Sequence, residues 1–280
     1  MTKTSTQPLK VGMIGFGAIG QVVAEAIAAG RAGNAQIVAV LEQLAQRFRS
    51  EGNRFARDLG ITFTDDAASF HATQFDLAVE VAGQEALKSH ALEVVQRGRD
   101  LLVASVGAFT DDAFFQRLSR SAADHGARVF LTSGALPAVD WMSAAALAGG
   151  GTVSITQSKP VGSWRGTPAA NMVNLDGLRV PTCFFESTAR ESATRFPKSS
   201  NITAMLALST VGLDQTSVRL VADPTSVKMH TLIEFQGPAG SLRVEWQGVP
   251  LDKNPSTSAD VPLTIIKGIR NLCSTVHYGL

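Results

Sequence analysis

The run from Leu9 to Gly20, Leu-Lys-Val-Gly-Met-Ile-Gly-Phe-Gly-Ala-Ile-Gly, constrains this chain more than any other stretch. It joins a short apolar strand to a glycine-rich turn, then to a helix rich in Ala and Val over Gln21 to Ala29 that stops at Gly30. Gly15 permits a tight turn, Gly17 lets backbone N–H groups approach a pyrophosphate with no Cβ in the way, and Gly20 lets the helix pack close to the strand. The helix N-terminus adds unpaired donors and a positive dipole end. This turn predicts a dinucleotide site at Gly15, Gly17, Ala18, Ile19 and Gly20.

The residues beyond Gly30 extend the pattern. Short β-type runs at Ile37–Leu41, Phe75–Val81, Asp100–Ser105 and Ala127–Thr132 alternate with helical spacing at Gln84–Arg97 and Asp111–His125. That alternation is the signature of a Rossmann-type, doubly wound parallel sheet. Several strands end in small residues, among them Ala82-Gly83 and Ser133-Gly134, at the carboxyl ends where such sheets hold ligands; Ala82 and Gly83 therefore join the cofactor set. Past Leu136-Pro137 a helix over Ala138–Ala148 stops at three glycines, and β-like runs take over at Thr152–Gln157, Val218–Ala222, Met229–Gln236 and Ser241–Gln247, with a helix over Asn201–Thr210. The fold class is α/β, with a second α+β domain built on an open, mostly antiparallel sheet. The expected division is a nucleotide domain over residues 1–134, joined by a C-terminal helix within 256–280, and a catalytic and dimerisation domain over 135–255.

With 280 residues, 45% hydrophobic, 18% charged and a net charge of +1, the chain has no basic excess for nucleic acid or anionic membrane. Met1 to Lys10 has no apolar core of a signal peptide and reads as a short lead-in. Two cysteines, Cys183 and Cys273, lack metal-type spacing, so no metal site is expected and a reducing, cytoplasmic setting is.

Glu42 falls at the end of the second strand, where a carboxylate holds the adenosine ribose, but Arg47 and Arg49 follow closely enough to meet a 2′-phosphate. NAD and NADP both stay open, and a solvated helix face accounts equally for all three residues. Among five histidines, His71, His90, His125 and His277 read as surface positions. His230 differs by entering a strand after the turn Ala222-Asp223-Pro224. A strand histidine with a purely structural role is the plainer alternative. Asn201, at the start of a helix, reads either as an N-cap or as an amide offered to a ligand.

Together these landmarks resemble the L-aspartate dehydrogenase family over nearly the whole chain. They are the glycine turn, Glu80-Val81-Ala82-Gly83, Ser133 to Asp140, Lys159-Pro160 with Trp164 and Gly166-Thr167-Pro168, Phe185-Glu186 with Thr188 to Glu191, Phe196-Pro197-Lys198 leading to Asn201, Ala222-Asp223-Pro224 with His230, and Asn254-Pro255. The chain departs from the pattern at Val161-Gly162, Ser187 and Ser199-Ser200. The resemblance implies His230 as the active-site residue, cofactor contacts at Ala135 and Asn201, and oxidation of L-aspartate to iminoaspartate with NAD or NADP, the product hydrolysing or feeding NAD biosynthesis. Two substrate carboxylates call for cations, and Lys159, Arg190, Lys198 and Lys228 are the candidates. A homodimer without nucleic-acid or membrane partners completes the expectation. The alternatives are another two-domain NAD(P)-dependent reductase of small amino or oxo acids, and a non-catalytic NAD(P)-binding sensor. A dihydrodipicolinate-reductase-like reading lacks its paired histidines here, and Lys159-Pro160 comes too late in the chain for the lysine of the sugar oxidoreductases.

Overall fold

The computed structural model describes residues 7–49, 54–252 and 254–279. The first six residues of the lead-in expected over Met1 to Lys10 lie outside that range. Contacts divide the chain into two compact units, one running to Thr132 and resuming at Val261, the other spanning Ser133–Asp260.

In the first unit six strands, β1 (Leu9–Ile14), β2 (Ala35–Leu41), β3 (Thr62–Thr64), β4 (Leu77–Glu80), β5 (Asp100–Val103) and β6 (Val129–Leu131), lie in the order β3-β2-β1-β4-β5-β6. Every pair is parallel. Helices α1 (Ala18–Ala28), α2 (Arg54–Leu59), α3 (Ala67–Ala72), α4 (Gln84–Gln96) and α5 (Asp112–Asp124) connect them. All four residues of β4 are buried, as a strand covered on both faces requires. In α5, Phe114, Leu118 and Ala122 recur every four residues and face inward, while Asp111 caps the helix by accepting the Phe114 N–H at 3.1 Å. The connection order reverses between β1 and β4, the switch point at which doubly wound sheets take ligands.

The second unit holds α6 (Val139–Ala146), β7 (Thr152–Pro160), β8 (Thr182–Thr188), α7 (Ala189–Arg195), α8 (Asn201–Ser209), β9 (Thr216–Asp223), β10 (Met229–Gly237) and β11 (Gly240–Gly248). Its sheet runs β11-β10-β7-β9-β8, and only β7 with β9 is parallel, so the mostly antiparallel expectation holds. Alternate residues Val153 and Ile155, Val218 and Leu220, and Ile233 and Phe235 turn to one face and share a core with Met142, Trp164, Leu206 and Ala207. Residues Ser154 and Thr156 of β7, with Glu234 and Arg243, stand on the other, polar face. Helix α9 (Val261–Cys273) then lays Ile265, Ile266 and Ile269 into the core of the first unit. Among the described residues, no helix is long and apolar enough to cross a membrane.

Within the two larger sheets, two strands escaped the pattern reading. β3 spans only three residues, too few for periodicity to register. In β8 the register shifts between Cys183 and Phe185, which breaks the alternation that marks a strand. His71 also departs from expectation, being fully buried and not on the surface. Its ring lies 5.9 Å from that of His90, its Nε2 is 3.5 Å from Glu93, and burial pushes its pKa down.

Candidate active site

Local chemistry shapes the glycine turn between β1 and α1. Gly15 has φ +93°, and a Cβ there would sit 2.7 Å from that of Ala82. A Cβ on Gly20 would come within 2.8 Å of the Gly15 carbonyl. Gly17 is different: a Cβ would meet nothing within 4 Å, so no internal packing demands glycine there. Gly17 is also the N-cap of α1 and offers no capping side chain, leaving the helix N-terminus with donors for an external anion. Open space above the turn and an uncapped helix beneath it fit a pyrophosphate.

Two carboxylates surround this turn. Glu42 accepts the Phe16 N–H at 2.7 Å and the Leu44 N–H at 3.2 Å, which anchors it against the glycine turn just past β2. Arg49 is committed elsewhere, donating to Asp65 at 2.6 Å and to the Phe63 carbonyl at 3.0 Å, while Arg47 is exposed. Glu80, fully buried at the end of β4, accepts from the Ala82 and Gly83 N–H groups at 2.8 Å each, from the Ser105 N–H at 3.1 Å and from the Ser105 hydroxyl at 2.8 Å. It thereby ties the Ala82-Gly83 turn to the end of β5. Burial pushes its pKa up against the pull of these bonds. In the sequence Glu80 belongs to a motif but has no evident role, because only the packing of β4 beside β5 brings Ser105 to it.

In the second unit, the sheet gathers several candidates at one end. His230 pairs in register with Ser158 of β7 and Gln247 of β11. Lys159 follows Ser158, so the pleat sends the two side chains to opposite faces in adjacent rows. The His230 side chain is 37% exposed, and its Nε2 lies 3.9 Å from Glu245 Oε2. Arg243 grips Glu245 at 2.7 Å and Glu234 at 2.8 Å. Lys159 donates to Ser199 Oγ at 2.8 Å and lies 4.9 Å from the Trp164 ring centre. Ser199 stands two residues before Asn201, the exposed first residue of α8. Ala135 lies on a separate turn, closed by the Leu136 N–H donating to the Ser133 carbonyl at 2.9 Å.

The other candidate cations are paired with a carboxylate or exposed. Arg190 binds Asp214 through Nε at 2.7 Å and Nη2 at 2.9 Å. Lys198 and Lys228 are exposed. Nothing in the local sequence marks Glu245 or Ser199 as functional: both are polar residues in polar stretches, and only strand register and a loop turn bring them to His230 and Lys159.

A switch-point glycine turn on a six-stranded parallel sheet, followed by a mixed-sheet domain bearing an accessible imidazole, defines a two-domain nicotinamide-nucleotide-dependent dehydrogenase. Residues 140–272 match the family model described as aspartate dehydrogenase, C-terminal, and residues 15–132 match that of the homoserine dehydrogenase NAD-binding domain. An L-aspartate dehydrogenase of Ralstonia pickettii is 39% identical over 269 residues, covering 96% of this chain and 98% of its own. One from Cupriavidus necator is 37% identical with the same coverage. The crystal structure of aspartate dehydrogenase from Thermotoga maritima superposes with a TM-score of 0.70 at 23% identity, over 97% of this chain and 99% of that one, a likeness of fold. The chain belongs to the L-aspartate dehydrogenase family.

The open space at Gly17 makes a selective test. Gly17→Ala is expected to keep the thermal midpoint within about 2 °C, because a surface methyl in extended backbone disturbs nothing. The dissociation constant for NAD, read by quenching of protein fluorescence, should rise about tenfold or more as the methyl meets the phosphate.

Proposed function

We propose that this chain oxidises L-aspartate to iminoaspartate with NAD, and that His230 is the general base. The observation that carries this reading is the placement of His230 at the entry to β10, accessible on the polar face of the sheet with Glu245 Oε2 3.9 Å from its Nε2. The substrate enters as an ammonium, and its nitrogen must lose a proton before its lone pair can help expel hydride from Cα. A neutral imidazole takes that proton, directly or through a water. The bound nicotinamide supplies the hydride acceptor. The glycine turn and the uncapped start of α1 would hold its pyrophosphate, the braced Ala82-Gly83 turn would line the switch point, and the family resemblance assigns Asn201 and Ala135 to the nicotinamide. Iminoaspartate then hydrolyses to oxaloacetate and ammonia, or passes into NAD biosynthesis.

The choice of NAD over NADP rests on Glu42 and Arg49. An anchored carboxylate at the end of β2 accepts ribose hydroxyls and repels a 2′-phosphate, and the arginine that could have met that phosphate is paired with Asp65. Glu42→Gln keeps an oxygen for the Phe16 N–H but removes the charge. It should narrow the NAD-over-NADP ratio of kcat/KM by about tenfold, which corresponds to about 1.4 kcal/mol. An unchanged ratio would take Glu42 out of cofactor selection.

The function itself is tested by following reduced-nicotinamide absorbance with L-aspartate and NAD, then with oxaloacetate plus ammonia and the reduced cofactor. Turnover in both directions is the expected outcome. Tight NAD binding with no turnover in either would replace the enzyme by a nucleotide sensor. The reading includes a cytoplasmic setting, which the two free cysteines support, and a homodimer. Light scattering at twice the monomer mass is the expected result.

A further inference from the structure

We propose that Glu245 receives the α-ammonium of the substrate and holds it against His230; the inference rests on the aspartate reading above and deepens it. His230 and Glu245 leave the same face of the sheet. Glu245 pairs in register with Leu232, two residues along β10 from His230, so the pleat sends both side chains to the polar face in adjacent rows. His230 Nε2 and Glu245 Oε2 stand 3.9 Å apart, too far for a hydrogen bond between them and a suitable width for one donor group shared by both. A nitrogen about 2.8 Å from each would see them at an angle of roughly 90°, close to the spread of two N–H bonds of an ammonium. A hydroxyl brings a single hydrogen and donates to only one of them, so the pair favours an amino acid over the matching hydroxy acid.

The other oxygen of Glu245 fixes its orientation. Arg243 donates to Glu245 Oε1 at 2.7 Å and to Glu234 Oε1 at 2.8 Å, so one guanidinium ties β11 to β10 beside the imidazole. Oε2 is the oxygen left turned toward His230. A carboxylate held in this way presents an acceptor at a set position, which a freely rotating surface glutamate does not. The hydrogen bond from Arg243, and after it the charge of that guanidinium, keep the Glu245 carboxyl below the usual glutamate range. Two carboxylates against one guanidinium leave the hairpin with one negative charge in excess, which draws a cation. The residues opposite His230 in its own row, Ser158 and Gln247, are neutral and add no charge to oppose that attraction.

Glu245→Gln keeps the shape and an oxygen for Arg243 while removing the charge. Steady-state kinetics in both directions separate ammonium recognition from general damage, because oxaloacetate carries the same two carboxylates and no ammonium. For Glu245→Gln, KM for L-aspartate should rise about three- to tenfold, a hydrogen bond to a charged group discounted for a site open to solvent. The KM for oxaloacetate and the dissociation constant for NAD should stay at their wild-type values. Glu186→Gln is the control for loss of charge alone. Glu186, paired with Arg219 at 3.4 Å, lies in the same row of the same face at the opposite edge of the sheet, on β8. Four strand spacings put it roughly 19 Å from Glu245, beyond the reach of a screened charge, so both KM values should be unchanged in this variant. An unchanged aspartate KM in Glu245→Gln would overturn the proposal. So would an equal rise for aspartate and oxaloacetate, or the same rise in Glu186→Gln. A wild type that turns over neither substrate would bring down the aspartate reading itself, and this inference with it.

Discussion

Replacing His230 with alanine is expected to lower kcat for L-aspartate by about two to four powers of ten, the usual loss when a general acid/base is deleted. Binding of NAD should be untouched, because every contact proposed for the pyrophosphate and ribose comes from the glycine turn, α1 and Glu42. Stability should also hold: the side chain is 37% exposed, and its nearest ionic neighbour, Glu245, keeps its partner Arg243. The measurement is therefore a split between three readouts, kcat falling while the dissociation constant for NAD and the thermal midpoint remain. Retention of full kcat in His230→Ala would leave the proton to another group and remove this histidine from the mechanism.

Glu80→Ala should destabilise the fold far more than His230→Ala, Gly17→Ala or Glu42→Gln. The carboxylate is the acceptor for the N–H groups of Ala82, Gly83 and Ser105 and for the Ser105 hydroxyl, and Glu80 itself is closed to solvent. Deleting it orphans the buried Ser105 donors, frees the turn and opens a cavity, together about 3 kcal/mol or more. For a domain of this size that corresponds to a fall of roughly 6–12 °C in the thermal midpoint. Because the same turn abuts Gly15, NAD affinity should weaken with it. The charge has its own signature. Burial raises the Glu80 pKa, so the folded state holds this proton more tightly than the unfolded chain does. The wild type therefore gains stability as pH falls through the raised value toward the ordinary glutamate range, and loses that gain as pH rises again. Glu80→Ala should lack this component in midpoints measured between pH 7 and pH 5. A wild-type profile sloping the opposite way relative to Glu80→Ala would show that the hydrogen bonds outweigh desolvation.

Much of the nucleotide unit was legible because its signals are local. Glycines at fixed spacing, apolar strands and small residues at strand ends act within a dozen neighbours, and their conformational meaning needs no partner. The longer helices were legible for the same reason, as in α5, where Phe114, Leu118 and Ala122 repeat every turn. The strand β8 was hidden because its alternation is interrupted by a bulge whose presence depends on β9. His71 was misread because its burial comes from the neighbours on α4, 19 and 22 positions away, and not from its own polar surroundings.

The site divides along the same line. From the chain alone came the ligand class, the glycine turn, His230 as the residue to watch and a set of four cations without an order among them. Only the fold distinguished those cations, since pairing and burial are properties of the neighbourhood: Asp214 claims Arg190, and Lys159 lies half-buried against Ser199 and Trp164. Only the fold set Glu42 against the Phe16 N–H and drew Arg49 to Asp65, the contacts on which the proposal of NAD rests. Sequence by itself determines which groups a chain possesses and the local turns they adopt. Electrostatic environment and mutual distance arise from contacts between residues far apart in the chain, and those the tertiary structure alone decides.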